Sequence, residues 1–187
     1  GPDDEGYLVV EEESEVCAGG KDTVSELWNS SFSFSPTKQL SELNSNYSIG
    51  LGHRRLSIID PSIAGHQPMC TGDKKVWIVY NGEIYNYLEL KKELSGKYDF
   101  RTQTDTEVIL AAFAKWGERC LGRFNGMWGM VLVDLRKRTL ILSRDRLGIK
   151  PLYVWSNGQS LAVSSEVKQL LALPEFRAVA NVDAVVE

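Results

Sequence analysis

Arg55, Asn81, Gly82, Glu83 and Asp105 carry the chemistry that this chain could perform. Arg55 heads an apolar strand segment, Asn81-Gly82-Glu83 follows a run of buried character, and Asp105 opens a helix. An arginine fork matches an α-carboxylate in bidentate fashion, and an aspartate receives an α-ammonium. An Asn amide beside a Gly N–H supplies two donors for an oxyanion that develops on an attacked carbonyl. These are the parts needed to hold and activate a free amino acid. Each also has a plainer reading: Asn-Gly is a turn, Asp105 a first-turn acid favoured by the helix dipole, and Arg55 a surface charge. Residue chemistry alone leaves both readings open.

Other chemistries find no footing. Gly19-Gly20-Lys21 lacks the earlier glycine and the following Ser/Thr of a phosphate loop, and Gly50-Leu51-Gly52 lacks the third glycine of a dinucleotide loop. No G-x-S-x-G elbow supports a serine hydrolase. The three cysteines, Cys17, Cys70 and Cys120, contain no C-x-x-C pair and read as reduced thiols of a cytoplasmic protein. With only His53 and His66, no metal site is expected. A net charge of −4 gives no reason to expect nucleic-acid binding. No apolar run approaches the about 18–20 residues that span a bilayer, so no membrane partner is expected. Asp3, Asp4 and Glu5 contradict the basic opening of a secretory signal. The 187 residues, 43% hydrophobic and 25% charged, match one globular domain and exclude a disordered tail, a collagen-like repeat and a coiled coil.

The elements that must position these residues follow from periodicity. Tyr7–Val16 reads as a strand, and 18–46 as a long excursion with one short helix around Val24–Trp28. Tyr47–Asp60 returns to β character until Asp60-Pro61-Ser62 stops it. Lys75–Tyr80 is the clearest buried strand, ended by Asn81-Gly82. Asn86 is expected to cap a helix to about Ser95 carrying Leu88, Leu90 and Leu94. Thr104 and Glu107 form a T-x-x-E capping box for a second helix, with Gly117 as its stop. Met127–Asp134 and Thr139–Arg144 make one hairpin, Tyr153–Trp155 and Leu161–Ser164 another, and Val167–Leu173 a last helix before Pro174. Strand runs segregated from helix runs argue α+β with antiparallel sheets.

Seven motifs then occur in order: GPDDEG at 1–6, GHRRLSIID at 52–60, AGHQPM at 64–69, NGEIYN at 81–86, TDTE at 104–107, FNGMW at 124–128 and SRDRLGIKPLYVW at 143–155. The set resembles the glutaminase domain of asparagine synthetases, class II glutamine amidotransferases of the N-terminal-nucleophile hydrolase superfamily. The resemblance runs from Gly1 to about Pro174 and implies a four-layer αββα sandwich of antiparallel sheets. It further implies that Arg55 grips the glutamine carboxylate, with Leu56, Ser57, Ile58 and Ile59 following along the pocket wall. Asn81 and Gly82 match the oxyanion hole, Glu83 lines the substrate site, and Asp105 receives the α-ammonium. Arg144–Tyr153 matches a supporting loop, and His53 and His66 are expected to pack or hydrogen-bond.

The sequence departs from that family's pattern in one respect. The family opens on an N-terminal Cys-Gly-Ile whose thiolate attacks the glutamine amide. Here 1–174 is expected to be the domain without that cysteine, its first strand and its first helix, and 175–187 the start of a linker toward an ATP-dependent synthetase domain. The implied activity is hydrolysis of glutamine, with ammonia passed on to amidate aspartate. ATP and magnesium belong to the synthetase domain, and no cofactor is expected in this one. Glutamine and that domain are the expected partners, together with a second copy in a homodimer. The alternative is a glutaminase-like binding or scaffold module, as in β-lactam synthetase relatives.

Overall fold

Leu8 and Val10, spaced by two, bury one face of β1 (Asp4–Glu11). The computed structural model describes residues 3–11, 14–43, 47–56 and 62–179. In it, β1 pairs antiparallel with β2 (Ser14–Gly19) on one side and β4 (Ile49–Arg55) on the other. The short β3 (Lys38–Gln39) joins β2 in parallel, giving the order β3-β2-β1-β4. Tyr7–Val16 is therefore not one strand but parts of two. Its β-formers are real, but the chain reverses between Glu11 and Ser14, which face each other in the register.

The second sheet is antiparallel throughout, in the order β5 (Met69–Cys70), β6 (Val76–Ile84), β7 (Gly126–Asp134), β8 (Thr139–Arg144). Val76, Trp77 and Ile78 are fully buried, and β7 is buried from Trp128 to Asp134. That continuity of apolar residues has its physical cause in cover on both faces. One face carries α2 (Asp105–Trp116), which touches β5 and β6 and packs beside α1 (Tyr87–Leu94). The other shares a core with the β1 sheet, so that Leu8 and Val10 belong to one cluster with Ile78, Met130 and Leu132. The fold is α+β with antiparallel sheets, and the described residues stack as helices, sheet and sheet. A hairpin of β9 (Tyr153–Ser156) and β10 (Leu161–Ser164) follows, with the single-turn α3 (Val167–Leu170) against it.

The short helix of the excursion is a 3-10 helix at Ser25–Asn29. Three local expectations are corrected. Asn86 stands at the N-cap position of α1, but its side chain makes no capping bond; it bonds the Arg123 carbonyl at 3.0 Å and the Asn125 N–H at 2.9 Å instead, tying α1 to the start of β7. Leu90 and Leu94 are buried as expected, whereas Leu88 faces solvent. The α2 cap forms, with Thr104 Oγ1 accepting from Glu107 N at 3.2 Å. The Glu107 carboxylate, however, takes the N–H groups of Arg101 and Thr102 instead of that of Thr104.

Candidate functional site

A cleft of about 810 Å³ opens where β4, β6 and the start of α2 converge, with β7, Lys150, Leu152 and the β10–α3 segment as its far wall. Arg55, Leu56, Asn81, Gly82, Glu83 and Asp105 all line it. Leu56 stands on the rim, 62% exposed. Ser57, Ile58 and Ile59 lie outside the described residues.

Arg55 is not a surface charge. It is 8% exposed, and Nη1 donates to the Ser62 carbonyl at 2.7 Å. That carbonyl belongs to the short helical turn Ile63–Gly65, which Ser62 itself caps. The guanidinium presses its Nη2 end against Gly65: a Cβ built there would fall 1.9 Å from Nη2 and 2.5 Å from Cζ. Only glycine lets the arginine occupy this place.

Asn81-Gly82 is not a turn either. β6 runs straight through it, with Asn81 opposite Gly129, Gly82 opposite Trp128 and Glu83 opposite Met127. The approach to β7 is close enough that a Cβ on Gly82 would meet Met127 O at 2.1 Å. Backbone groups alternate in direction along a strand. Tyr80 N donates to Gln67 Oε1 at 2.7 Å and Ile84 N to Asp105 Oδ2 at 3.0 Å, both away from β7. Gly82, midway between them, turns its N–H the same way, into the cleft. The Asn81 side chain is exposed there and has no hydrogen-bond partner among the described residues.

Asp105 is a first-turn acid, but its carboxylate is committed to β6. Oδ2 accepts from Ile84 N and, at 2.8 Å, from the Tyr80 hydroxyl. Oδ1 retains acceptor capacity. Burial raises the Asp105 pKa, the bonds from Ile84 and Tyr80 oppose the rise, and the nearby Glu83 adds to it. Burial, then Asp105 itself, likewise pushes the Tyr80 phenol up.

Sequence reasoning did not place Gly65, Gln67 or Lys150 in the site. His53 also lines the cleft, and its Nε2 lies 3.1 Å from the Tyr80 carbonyl. Burial lowers the His53 pKa to about 4 against the pull of that carbonyl, with His66 and Arg55 lowering it further. His66 sits deeper, paired with Asp4 at 2.7 Å, both buried. Lys150 reaches the cleft from a loop organised by Asp145, whose carboxylate accepts from the N–H groups of Trp128, Leu147, Ile149 and Lys150. Desolvation works against the Asp145 charge, but these bonds outweigh it and hold the pKa at about 2.

No cysteine lines the cleft. Cys17, Cys70 and Cys120 are buried, which pushes their thiols up to about 12, 11 and 12. Such thiols are inert at neutral pH. Among the described residues no group of three His, Cys, Asp or Glu side chains could hold a metal ion, and no helix is long and apolar enough to cross a membrane.

A model of the glutamine amidotransferase domain matches residues 39–187. A putative glutamine-hydrolysing asparagine synthetase of Methanocaldococcus jannaschii is 46% identical over 152 residues, covering 74% of this chain and 29% of its own length. Glutamine-hydrolysing asparagine synthetase 3 of Bacillus subtilis is 40% identical over 131 residues (68% and 21%), and that of Zea mays 44% over 121 residues (64% and 20%). The chain thus spans less than a third of these curated relatives. Among solved structures, glutamine phosphoribosylpyrophosphate amidotransferase from B. subtilis, complexed with ADP and GMP, superposes with a TM-score of 0.65 at 20% identity, covering 88% of this chain and 36% of that one. This likeness shows the fold.

Proposed function

Because this chain belongs to the glutamine amidotransferase domain family, we propose that its cleft binds glutamine and presents the side-chain amide for hydrolysis to glutamate and ammonia. The observation that carries this reading is the convergence of Arg55, Asp105, Asn81 and the outward N–H of Gly82 on one cleft. Arg55 takes the α-carboxylate and Asp105 the α-ammonium. An ammonium beside Asp105 restores the ionised form that burial disfavours. Asn81 Nδ2 and Gly82 N–H face the amide oxygen.

In the proposed reaction a thiolate adds to the amide carbon and the C=O electrons pass to oxygen, where these two donors hold the charge. The C–N bond then breaks, the nitrogen leaves as ammonia with an added proton, and water cleaves the thioester to glutamate and free thiol. None of the three cysteines can supply that thiol from its present position, so these 187 residues act on glutamine by binding it. In the longer architecture of the relatives, the ammonia would serve ATP-dependent amidation of aspartate at a fused synthetase domain.

Calorimetric titration with glutamine tests the reading. Saturable binding is expected, weakened about tenfold or more by Asp105→Asn, which keeps an acceptor for Ile84 and Tyr80 but removes the charge. Absence of binding at millimolar glutamine, or an unchanged affinity in Asp105→Asn, would refute it.

A further inference from the structure

We propose that Gln67 and His53 clamp the peptide on which the Asn81 and Gly82 donors are carried, making both positioning residues for recognition of the substrate amide. This rests on the reading that those donors face the glutamine side chain.

β5 lends only two residues to β6, Met69 opposite Ile78 and Cys70 opposite Trp77. Continued by two residues, the same register sets Gln67 against Tyr80, but β5 begins only at Met69, so no backbone ladder is formed there. The primary amide of Gln67 takes over the work of a backbone. Its Oε1 accepts from Tyr80 N at 2.7 Å and its Nε2 donates to Tyr80 O at 3.2 Å. The amide orientation follows from the chemistry, since a backbone N–H can only donate.

A second donor reaches the same carbonyl from the opposite sheet. His53 on β4 brings Nε2 to 3.1 Å from Tyr80 O. A carbonyl only accepts, so Nε2 carries the proton and Nδ1 is left as a lone pair, buried and without a partner among the described residues. The imidazole is neutral near pH 7, in keeping with its depressed pKa of about 4. Both lone pairs of the Tyr80 carbonyl are thereby occupied, one by His53 of β4 and one by Gln67 ahead of β5.

The clamped peptide leads directly into Asn81. Three residues beyond Asn81, Asp105 fixes Ile84 N. The donor pair is thus held between two anchors, made by side chains from β4, α2 and the segment ahead of β5. A backbone strand continued along β6 would have held Tyr80 equally well, but it would also have covered the Gly82 N–H. Closing the edge with single side chains fixes the strand and leaves that N–H open to the cleft.

The test compares two ligands of the 187-residue protein by calorimetry: L-glutamine, and L-norvaline, which shares the α-amino acid head but has no amide. The wild-type protein should bind glutamine more tightly. In Gln67→Met and in His53→Phe that preference should fall about tenfold, with the norvaline affinity unchanged, and His53→Gln, which returns an N–H donor, should restore most of it. Should Gln67→Met fail to fold, His53→Phe leaves the Gln67 bonds in place and gives the same reading. Equal weakening of both ligands, or an intact preference in His53→Phe, overturns the clamp while leaving the function standing. A wild-type protein that binds neither ligand, or both alike, overturns the reading of the donors and the clamp with it.

Discussion

Gly65→Ala should weaken recognition of a carboxylate while leaving the arginine that provides it unsubstituted. The added methyl would sit 1.9 Å from Arg55 Nη2, 2.5 Å from Cζ and 3.1 Å from Nε. Ordinary contacts begin near about 3.5 Å, so the guanidinium must retreat by roughly 1.5 Å. It can do so, being the far end of a flexible side chain, and the expected cost to the fold is that of modest overpacking, about 1–3 kcal/mol. The bond from Nη1 to the Ser62 carbonyl goes with it. A charge-assisted contact is worth about 1.5–3 kcal/mol, so glutamine should bind about 13- to 160-fold more weakly. The assay is calorimetric, with 4-aminobutanamide as control, because it is glutamine without the α-carboxylate. Its affinity should not change. In an Arg55→Ala background, Gly65→Ala should add nothing further to the loss, as two changes acting through one group are not additive. Undiminished glutamine affinity in Gly65→Ala would refute the placement of Arg55, and equal loss of both ligands would show collapse of the cleft instead.

Other outcomes follow from the same geometry. The 187-residue chain should release no ammonia from glutamine in a coupled glutamate-dehydrogenase assay, and ammonia release that Cys17→Ala abolished would move the nucleophile to that thiol. Glutamine affinity should decline on acidification, beginning above the usual aspartate range, because the Asp105 pKa is raised and only the carboxylate pairs with an ammonium; a flat affinity between pH 7 and 4 contradicts this. His53 titrates near 4 folded against an ordinary value of 6.5. The unfolded chain therefore takes up that proton first, and stability falls as pH drops from about 6.5 toward 4, by about 3 kcal/mol from this group. Urea unfolding of His53→Gln should show a correspondingly shallower pH dependence, and parallel curves for the two proteins would exclude it.

The elements legible in the sequence were those that local chemistry specifies alone. Thr104 caps α2, the apolar run of β7 is buried on both faces, and the hairpins at 135–138 and 157–160 join the strands expected. Asn81-Gly82 misled because its dipeptide favours a turn, while the pairing partner decides otherwise: Gly82 itself and Gly126 on β7 let the two strands pass close by, and β6 continues to Ile84. Arg55, Asn81, Gly82, Glu83 and Asp105 were identified as one set from their types and motif resemblance. Gly65 and Gln67 were not, because their places depend on what lies across space. Nothing in AGHQPM reveals that its glycine is a seat for Arg55 or that its glutamine stands in for a strand.

The loop held by Asp145 is built inside out. Its interior is a carboxylate surrounded by peptide N–H groups, and its apolar side chains point outward, Leu147 85% and Ile149 55% exposed. A loop that folded around its own leucine and isoleucine would have spent them. This one takes its shape from a single charge and keeps both free at its surface, while Lys150 stays fixed at the cleft wall. Shape and surface are therefore separable: Leu147 and Ile149 can be exchanged for polar residues with the loop intact, whereas Asp145→Ala would release the whole turn and leave the outer side chains chemically unaltered.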